Sequence, residues 1–154
     1  MSKLSHYDES GQARMVDVSG KTATARRATA RAFVRMKAAV LKALPSNRKG
    51  DPLTVARLAG ILAAKRTPDL IPLCHPLHLT HIDVQAVVKR GGIALTATVA
   101  TTDVTGVEME ALVAVSVAAL TVYDMTKGLD KSITIEKVEL VEKSGGKSGS
   151  YKRK

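Results

Sequence analysis

The sequence has no tryptophan, one phenylalanine and three tyrosines, so aromatic side chains make up 3% of its 154 positions. Proteins that bind single-stranded nucleic acid interleave basic residues with rings on which bases stack, and this chain has too few rings to build such a surface. A single cysteine, Cys74, excludes an internal disulfide and fits a reducing compartment better than a secreted scaffold. Residues 1–9 lack an apolar stretch and carry early acids, so they do not read as a secretory or organellar leader, and the cytoplasm is the expected location. Acidic residues are also scarce. Fourteen Asp and Glu stand against 24 Lys and Arg, and the resulting formal charge of +10 must be solvated or meet an anion. With no stacking platform, the expected anion is a small phosphorylated molecule, and neither nucleic acid nor membrane is expected as a partner.

The chain does have enough apolar side chain, 45% of its residues, to bury one core. We read a single domain over residues 1–154, with flexible segments at about 1–13 and 144–154. In residues 28–36, Ala28, Ala30, Ala32, Val34 and Met36 alternate with Thr29, Arg31, Phe33 and Arg35. That period of two predicts a strand with one wet side, against alanine's preference for helix. Residues 37–44 read as a short helix stopped by Pro45. A longer one follows, with Asp51 as its N-cap, Pro52 in its first turn and Val55, Leu58, Ala59, Leu62 and Ala63 as its apolar stripe. Pro68, Pro72 and Pro76 exclude a helix from residues 67–76.

Residues 79–89 and 93–102 read as strands joined by Arg90-Gly91-Gly92 in a hairpin. Residues 108–127 form the longest expected helix, ended by Gly128 and uncharged from Ala111 to Tyr123. Too short a run to span a bilayer, it must be buried all round, under a sheet on one side and against another subunit on the other. Residues 133–141 alternate as a last strand, and a Gly, Ser and Lys tail follows. The order of elements predicts an α+β fold, a ferredoxin-like antiparallel sheet with helices packed on one face, and that fold leaves function open.

Several groups of residues could carry chemistry. His75 sits between Pro72 and Pro76, a stiff placement that suits either a catalyst or a buried loop. Cys74, His75, His78 and His81 are ligand-type residues, but in extended chain they point to different faces, which argues against a metal. Glu108 and Glu110 open the long helix, where the macrodipole favours carboxylates with or without a ligand. Asp124 and Lys127 lie on one helix face, either as a surface ion pair or, if partly buried, as a coupled proton donor and acceptor. Lys49 precedes a helix N-terminus, where it can share an anion with backbone donors. Lys143-Ser-Gly-Gly-Lys147-Ser-Gly ends like a phosphate-binding loop, yet Val141 stands where that loop needs its first glycine, and no helix follows. A flexible basic segment able to close over phosphates remains. A rival reading uses the arginine face of Arg27, Arg31 and Arg35 as a nucleic-acid surface.

Taken together, Val16-Asp-Val-Ser, Lys49-Gly-Asp, Asp69-Leu-Ile-Pro-Leu-Cys-His-Pro-Leu77, Thr105-Gly-Val-Glu-Met-Glu-Ala-Leu112, Tyr123-Asp-Met-Thr-Lys127 and Lys143-Ser-Gly-Gly-Lys-Ser-Gly149 resemble the molybdenum cofactor biosynthesis protein C family over essentially the whole chain. The resemblance implies rearrangement of a cyclic dihydro-GTP adduct, ribose C3′ bonded to guanine C8, to cyclic pyranopterin monophosphate with release of pyrophosphate. It implies Asp124 as catalytic acid/base, Lys127 and Lys49 as proton-transfer partners, Leu73, Cys74, His75, Met109 and Glu110 as substrate contacts, and Arg26 and Lys143 as triphosphate ligands. It further implies a homo-hexamer, a trimer of dimers, with sites built from neighbouring subunits. No cofactor is required, although a divalent metal could accompany the pyrophosphate. One departure is Thr126, where many members have cysteine; it is expected to point away from Asp124.

Overall fold

In the computed structural model, which describes residues 4–154, the alternating alanine segment is a strand. β1 (Thr24–Arg35) buries Ala28, Ala30, Ala32 and Val34 to 3% exposure or less and leaves Arg31 and Arg35 in solvent. Propensity loses to pairing here, because β1 is hydrogen-bonded along both edges, to β3 (Gly92–Asp103) and to β4 (Thr134–Ser144). β2 (Leu79–Lys89) pairs with β3, and a two-residue strand β5 (Tyr151–Lys152) pairs with β4. All pairs are antiparallel and the order is β2-β3-β1-β4-β5. This is the expected ferredoxin-like sandwich with one strand added. The β2–β3 turn closes through Gly91 at φ 81°, and a side chain at the next residue, Gly92, would lie 2.2 Å from the Val34 carbonyl oxygen.

Between the strands lie α1 (Ala38–Ala43), a 3-10 turn (Leu44–Ser46), α2 (Pro52–Lys65), α3 (Thr67–Leu70) and α4 (Glu108–Thr126). Asp51 caps α2 by accepting from the Leu53 and Thr54 amides at 3.1 and 3.2 Å, with Pro52 in the first turn. α1 ends ahead of Pro45 as expected, and Pro45 itself lies in the opening positions of the 3-10 turn that follows. One helix boundary differs from expectation. The proline-rich segment begins with the single turn α3, because Pro68 sits where a helix N–H would be unpaired anyway. A turn then follows, closed by the Cys74 amide donating to the Ile71 carbonyl at 3.1 Å, before the chain runs on without helix to β2.

The face of α2 also differs. Its buried residues are Pro52, Ala56, Gly60, Ala63 and Ala64, whereas Leu58 and Leu62 are 62% and 58% exposed and Val55 is exposed beside them. The large side chains suggested a stripe, but close approach to α4 selects small ones. A side chain at Gly60 would lie 3.0 Å from the Ala114 carbonyl oxygen and 3.2 Å from Val84. α4 therefore has α2 of its own chain on one side and β1, β3 and β4 on the other, while Leu120 is left 57% exposed. By length and composition α4 could cross a membrane, but most of it is buried core.

The last residues form a Gly145-Gly146 turn and return through β5 along β4. Near the N-terminus, Tyr7 bridges to Ala13; residues 1–3 of the segment expected to be flexible lie outside the described residues.

The α2–α4 contact makes a direct prediction. Gly60→Val places two methyl groups against a backbone carbonyl and should lower unfolding stability by about 2 kcal/mol, read as a drop in the urea midpoint. An unchanged midpoint would mean that the helices are not in contact there.

Candidate active site

The extended chain after α3 crosses the N-terminal end of α4 and closes a pocket of about 230 Å³. Leu73, Cys74 and His75 form one wall, Met109 and Glu110 another, and Val16 and Lys21 from the N-terminal segment a third. The expected substrate contacts thus come together, although Cys74 and Glu108, at the start of α4, are 34 positions apart in sequence.

 The fold brings the two segments into contact through the β2–β3 hairpin that lies between them. His75 Nε2 is 2.7 Å from the Val16 carbonyl oxygen, which can only accept, so Nε2 carries a proton and Nδ1 is left to face other partners.

Glu110 is 3% exposed. Burial pushes its carboxyl up to about 7, with the Glu108 charge adding to the rise and the residue's own backbone amide opposing it. Position in the first turn of a helix would normally hold a carboxylate low, so desolvation outweighs the helix dipole here. The same burial, helped by Glu110, raises the Cys74 thiol, which is therefore a packing and contact group and not a thiolate nucleophile. The capping role that helix position alone would give the two acids is not what they do. Val107 is the N-cap residue, Glu108 pairs with Lys143 at 3.5 Å, and Glu110 turns inward.

A second cavity, of about 480 Å³, is strongly cationic, with Lys21, Arg26 and Lys147 alongside the hydroxyls of Thr22, Thr24 and Ser148. Lys21 lines both cavities, so they adjoin. Arg26 is held by donating to the carbonyls of Asp103 and Val104 at 2.9 and 3.1 Å. The glycine turn fits around it. Gly145 and Gly146 have φ 89° and 77°, and side chains there would lie 2.1 Å from the Ala25 carbonyl oxygen and 2.1 Å from Arg26 Nη1. Lys143 reaches both Glu108 and the Ser148 hydroxyl. Lys21 was not among the expected site residues, and Lys147 was expected only as part of a flexible basic segment able to close over phosphates. Their only signal was the neighbourhood of glycine and hydroxyl residues, which many surface lysines share.

Asp124, Lys127 and Lys49 gather at the other end of α4. Asp124 Oδ1 is 2.9 Å from Lys127 Nζ and its Oδ2 is 3.9 Å from Lys49 Nζ. Lys49 also donates to the Asp124 carbonyl at 3.0 Å, while Asn47 donates to the Met125 carbonyl at 2.8 Å and accepts from the Lys49 amide. The loop before α2 thus docks on the carbonyl end of α4, where cations are favoured. The hydrogen bond and charge of Lys127, with Lys49 behind them, hold Asp124 below the usual carboxylate range, and Asp124 in turn raises Lys127. The partial burial considered for this pair is not found: the Asp124 side chain is 61% exposed. Thr126 is buried and donates to the Val122 carbonyl at 2.6 Å, so it faces the core while Asp124 faces out.

The two groups stand far apart. Fifteen residues from Met109 to Asp124 span about 22 Å of helix axis, whereas proton transfer needs hydrogen-bond contact. The rival surfaces are weaker. On the arginine face read for nucleic acid, Arg31 and Arg35 are each paired at 2.6 Å, with Glu139 and Glu136, which offsets part of its charge. Among the described residues no three His, Cys, Asp or Glu side chains converge as a metal site.

Because Glu110 ionises at higher pH in the folded chain than in the unfolded one, the folded state holds the extra proton between about pH 4.5 and 7. Its contribution is therefore fully present below that window and is lost as pH rises through it, by on the order of 3 kcal/mol. Chemical denaturation from pH 5 to 8 should show this fall, and Glu110→Gln should flatten it; an unchanged slope in the variant would refute the assignment.

The MoaC family model matches residues 15–146 of the chain. The chain is 57% identical to a cyclic pyranopterin monophosphate synthase from Roseiflexus sp. (strain RS-1), over 98% of each chain. It is 58% identical to one from Geotalea uraniireducens (strain Rf4), over 97% of this chain and 96% of the relative, and 56% identical to one from Novosphingobium aromaticivorans, over 99% and 98%. With the pocket, the cationic cavity and the Asp124 cluster all inside the matched span, the chain belongs to the MoaC family.

Proposed function

We infer that the chain catalyses the reaction of a cyclic pyranopterin monophosphate synthase in molybdenum cofactor biosynthesis, on a GTP-derived substrate. The observation that carries the reading is the junction at Lys21. A half-closed pocket with a buried acid, sized for a heterocycle, opens there onto a cavity lined by three cations, sized for phosphates. The substrate we propose is the cyclic dihydro-GTP adduct. Its base lies against Leu73, Cys74, His75, Met109 and Glu110, and its triphosphate lies over Lys21, Arg26 and Lys147 with Lys143 at the edge. Such charges stabilise a leaving pyrophosphate by several kcal/mol only where water is largely excluded.

Asp124, Lys127 and Lys49 supply acid/base steps in this reading. The separation of about 22 Å along α4 keeps them from a base held at the other end of the same chain, and the hydrogen bond and charge of Lys127, with the Lys49 charge behind them, leave the exposed Asp124 carboxyl too acidic for a proton donor at neutral pH. Both difficulties disappear if a second copy brings its Asp124 end to this pocket, desolvating the carboxyl and raising its pKa. The exposed Val55, Leu58 and Leu62 of α2 and Leu120 of α4 are apolar surface that such packing would cover. We therefore propose a homo-hexamer, a trimer of dimers, with sites between subunits, working in the cytoplasm. The reading needs no resident cofactor, and a divalent ion would enter with the pyrophosphate.

Incubated with the cyclic adduct, the wild-type chain should form cyclic pyranopterin monophosphate and pyrophosphate in equal amounts. Asp124→Ala should fold and assemble normally yet form neither, and retained turnover would remove Asp124 from its role. A mixing experiment tests the shared site. Asp124→Ala and His75→Ala chains, each inactive alone, should regain about a quarter of wild-type activity when refolded together, as expected for two-chain sites under random pairing. No recovery would place the whole site in one chain.

A further inference from the structure

Two cavities meet at one carboxyl. Segment 72–79 forms a wall, with Leu73, Cys74 and His75 toward the substrate pocket and Pro76, Leu77 and His78 toward another cavity of about 280 Å³, closed on its far side by Ala64, Lys65 and Pro68. Glu110 lines both. It is the one acidic residue among the described residues with a buried side chain, and no Lys or Arg among them forms an ion pair with it. Burying an unpaired carboxyl is costly, and the fold has an alternative within reach, since the paired Glu108 two residues earlier shows that a cation can approach this end of α4.

Resting on the function proposed above, we propose that Glu110 is a catalytic proton donor, giving its proton to the bound base on one side and regaining it from solvent through the second cavity on the other. In the step, the carboxyl O–H bond breaks, the proton passes to a nitrogen or oxygen lone pair of the base, and Glu110 is left as carboxylate. Water in the second cavity then returns a proton, and the hydroxide left behind is neutralised by buffer acid, so the chain ends each turnover unchanged. Once substrate fills the first pocket, water there is excluded, and only the second cavity can do this. It has room for several waters at roughly 30 Å³ each, and Lys65 and His78 give it a polar rim.

The groups around Glu110 fit the role. On the pocket side, Glu108, Cys74, His75, His6 and Lys21 are the ionisable neighbours, with Lys143 offsetting Glu108; on the other side they are Lys65 and His78. The burial that holds the carboxyl near 7 leaves much of it protonated at neutral pH, as a donor must be.

The test uses the full chain and the cyclic adduct, with the wild type forming product as the control that the proposed function requires; a wild type that forms none sinks that function and not this step alone. His78→Leu combined with Lys65→Leu, both at exposed positions, should leave the single-turnover rate within about twofold. It should slow steady-state turnover about fivefold or more, with kcat/KM unchanged and KM falling in step with kcat, because the first proton is already on Glu110 and only its return is impeded. Glu110→Gln, of the same shape, should bind the adduct within about threefold of wild type. Its single-turnover rate should fall about a hundredfold and lose its dependence on a group titrating near neutrality. The proposal is overturned if the double variant slows both rates together or neither, or if Glu110→Gln keeps its single-turnover rate.

Discussion

The close contact of α2 with α4 is the constraint on which the rest of the structure depends. Gly60 lets α4 and Val84 approach so closely that an added Cβ would lie 3.0 Å from the Ala114 carbonyl oxygen and 3.2 Å from the Val84 side chain, and the alanines of β1 let the opposite face of α4 settle on the sheet. A helix held this way on both sides is a rigid rod. Each end then carries a cluster of charged side chains: the Glu108–Glu110 turn at one, and Asp124 with Lys127 at the other. The neighbouring loops are fitted to those ends, the proline-bracketed segment to the first and the Asn47–Lys49 loop to the second.

Charge is distributed to match. The excess of +10 is not spread evenly over the chain. On the open sheet face, Arg35 is answered by Glu136 and Arg31 by Glu139, so part of the positive charge there is offset locally. Lys21, Arg26 and Lys147 instead share one cavity, where Arg26 donates to two backbone carbonyls, which orient the guanidinium without cancelling its charge. Beside this positive field the chain keeps a buried acid in Glu110. A protonated carboxyl next to a cationic cavity is a combination that can hold phosphates and still release a proton to a neighbouring heterocycle.

How much of this was legible in the sequence depended on the range of the interaction. Period two in residues 28–36 revealed β1 despite its alanines, and Asp51-Pro52 marked the start of α2, because both signals are local. The face of α2 was misjudged for a physical reason. Hydrophobic periodicity follows the largest side chains, whereas helix contact at the closest distance is made by Ala56, Gly60 and Ala63. The single turn α3 was lost because proline reads as a breaker when it stands in a first turn. At the site, the i, i+3 spacing foretold the Asp124–Lys127 contact but not its exposure, which depends on where the helix ends relative to the rest of the fold. Lys21 and Lys147 are ordinary residues until the glycine turn brings them to one cavity, and the ionisation of Glu110 depends on burial that no local pattern encodes.

The rigidity of α4 also constrains how the enzyme can work. A flexible connection could fold one end of a chain over onto the other, but a helix packed on the sheet and on α2 cannot shorten the distance between its ends. Chemistry that needs both ends at one substrate must therefore draw them from different copies, and the exposed Val55, Leu58, Leu62 and Leu120 offer a face for that packing. Assembly would then do more than add stability. It would take Asp124 out of water, move its ionisation toward the range where proton transfer is effective, and close the heterocycle pocket at the moment the Asp124 cluster is completed, so that a free single chain would hold substrate without converting it.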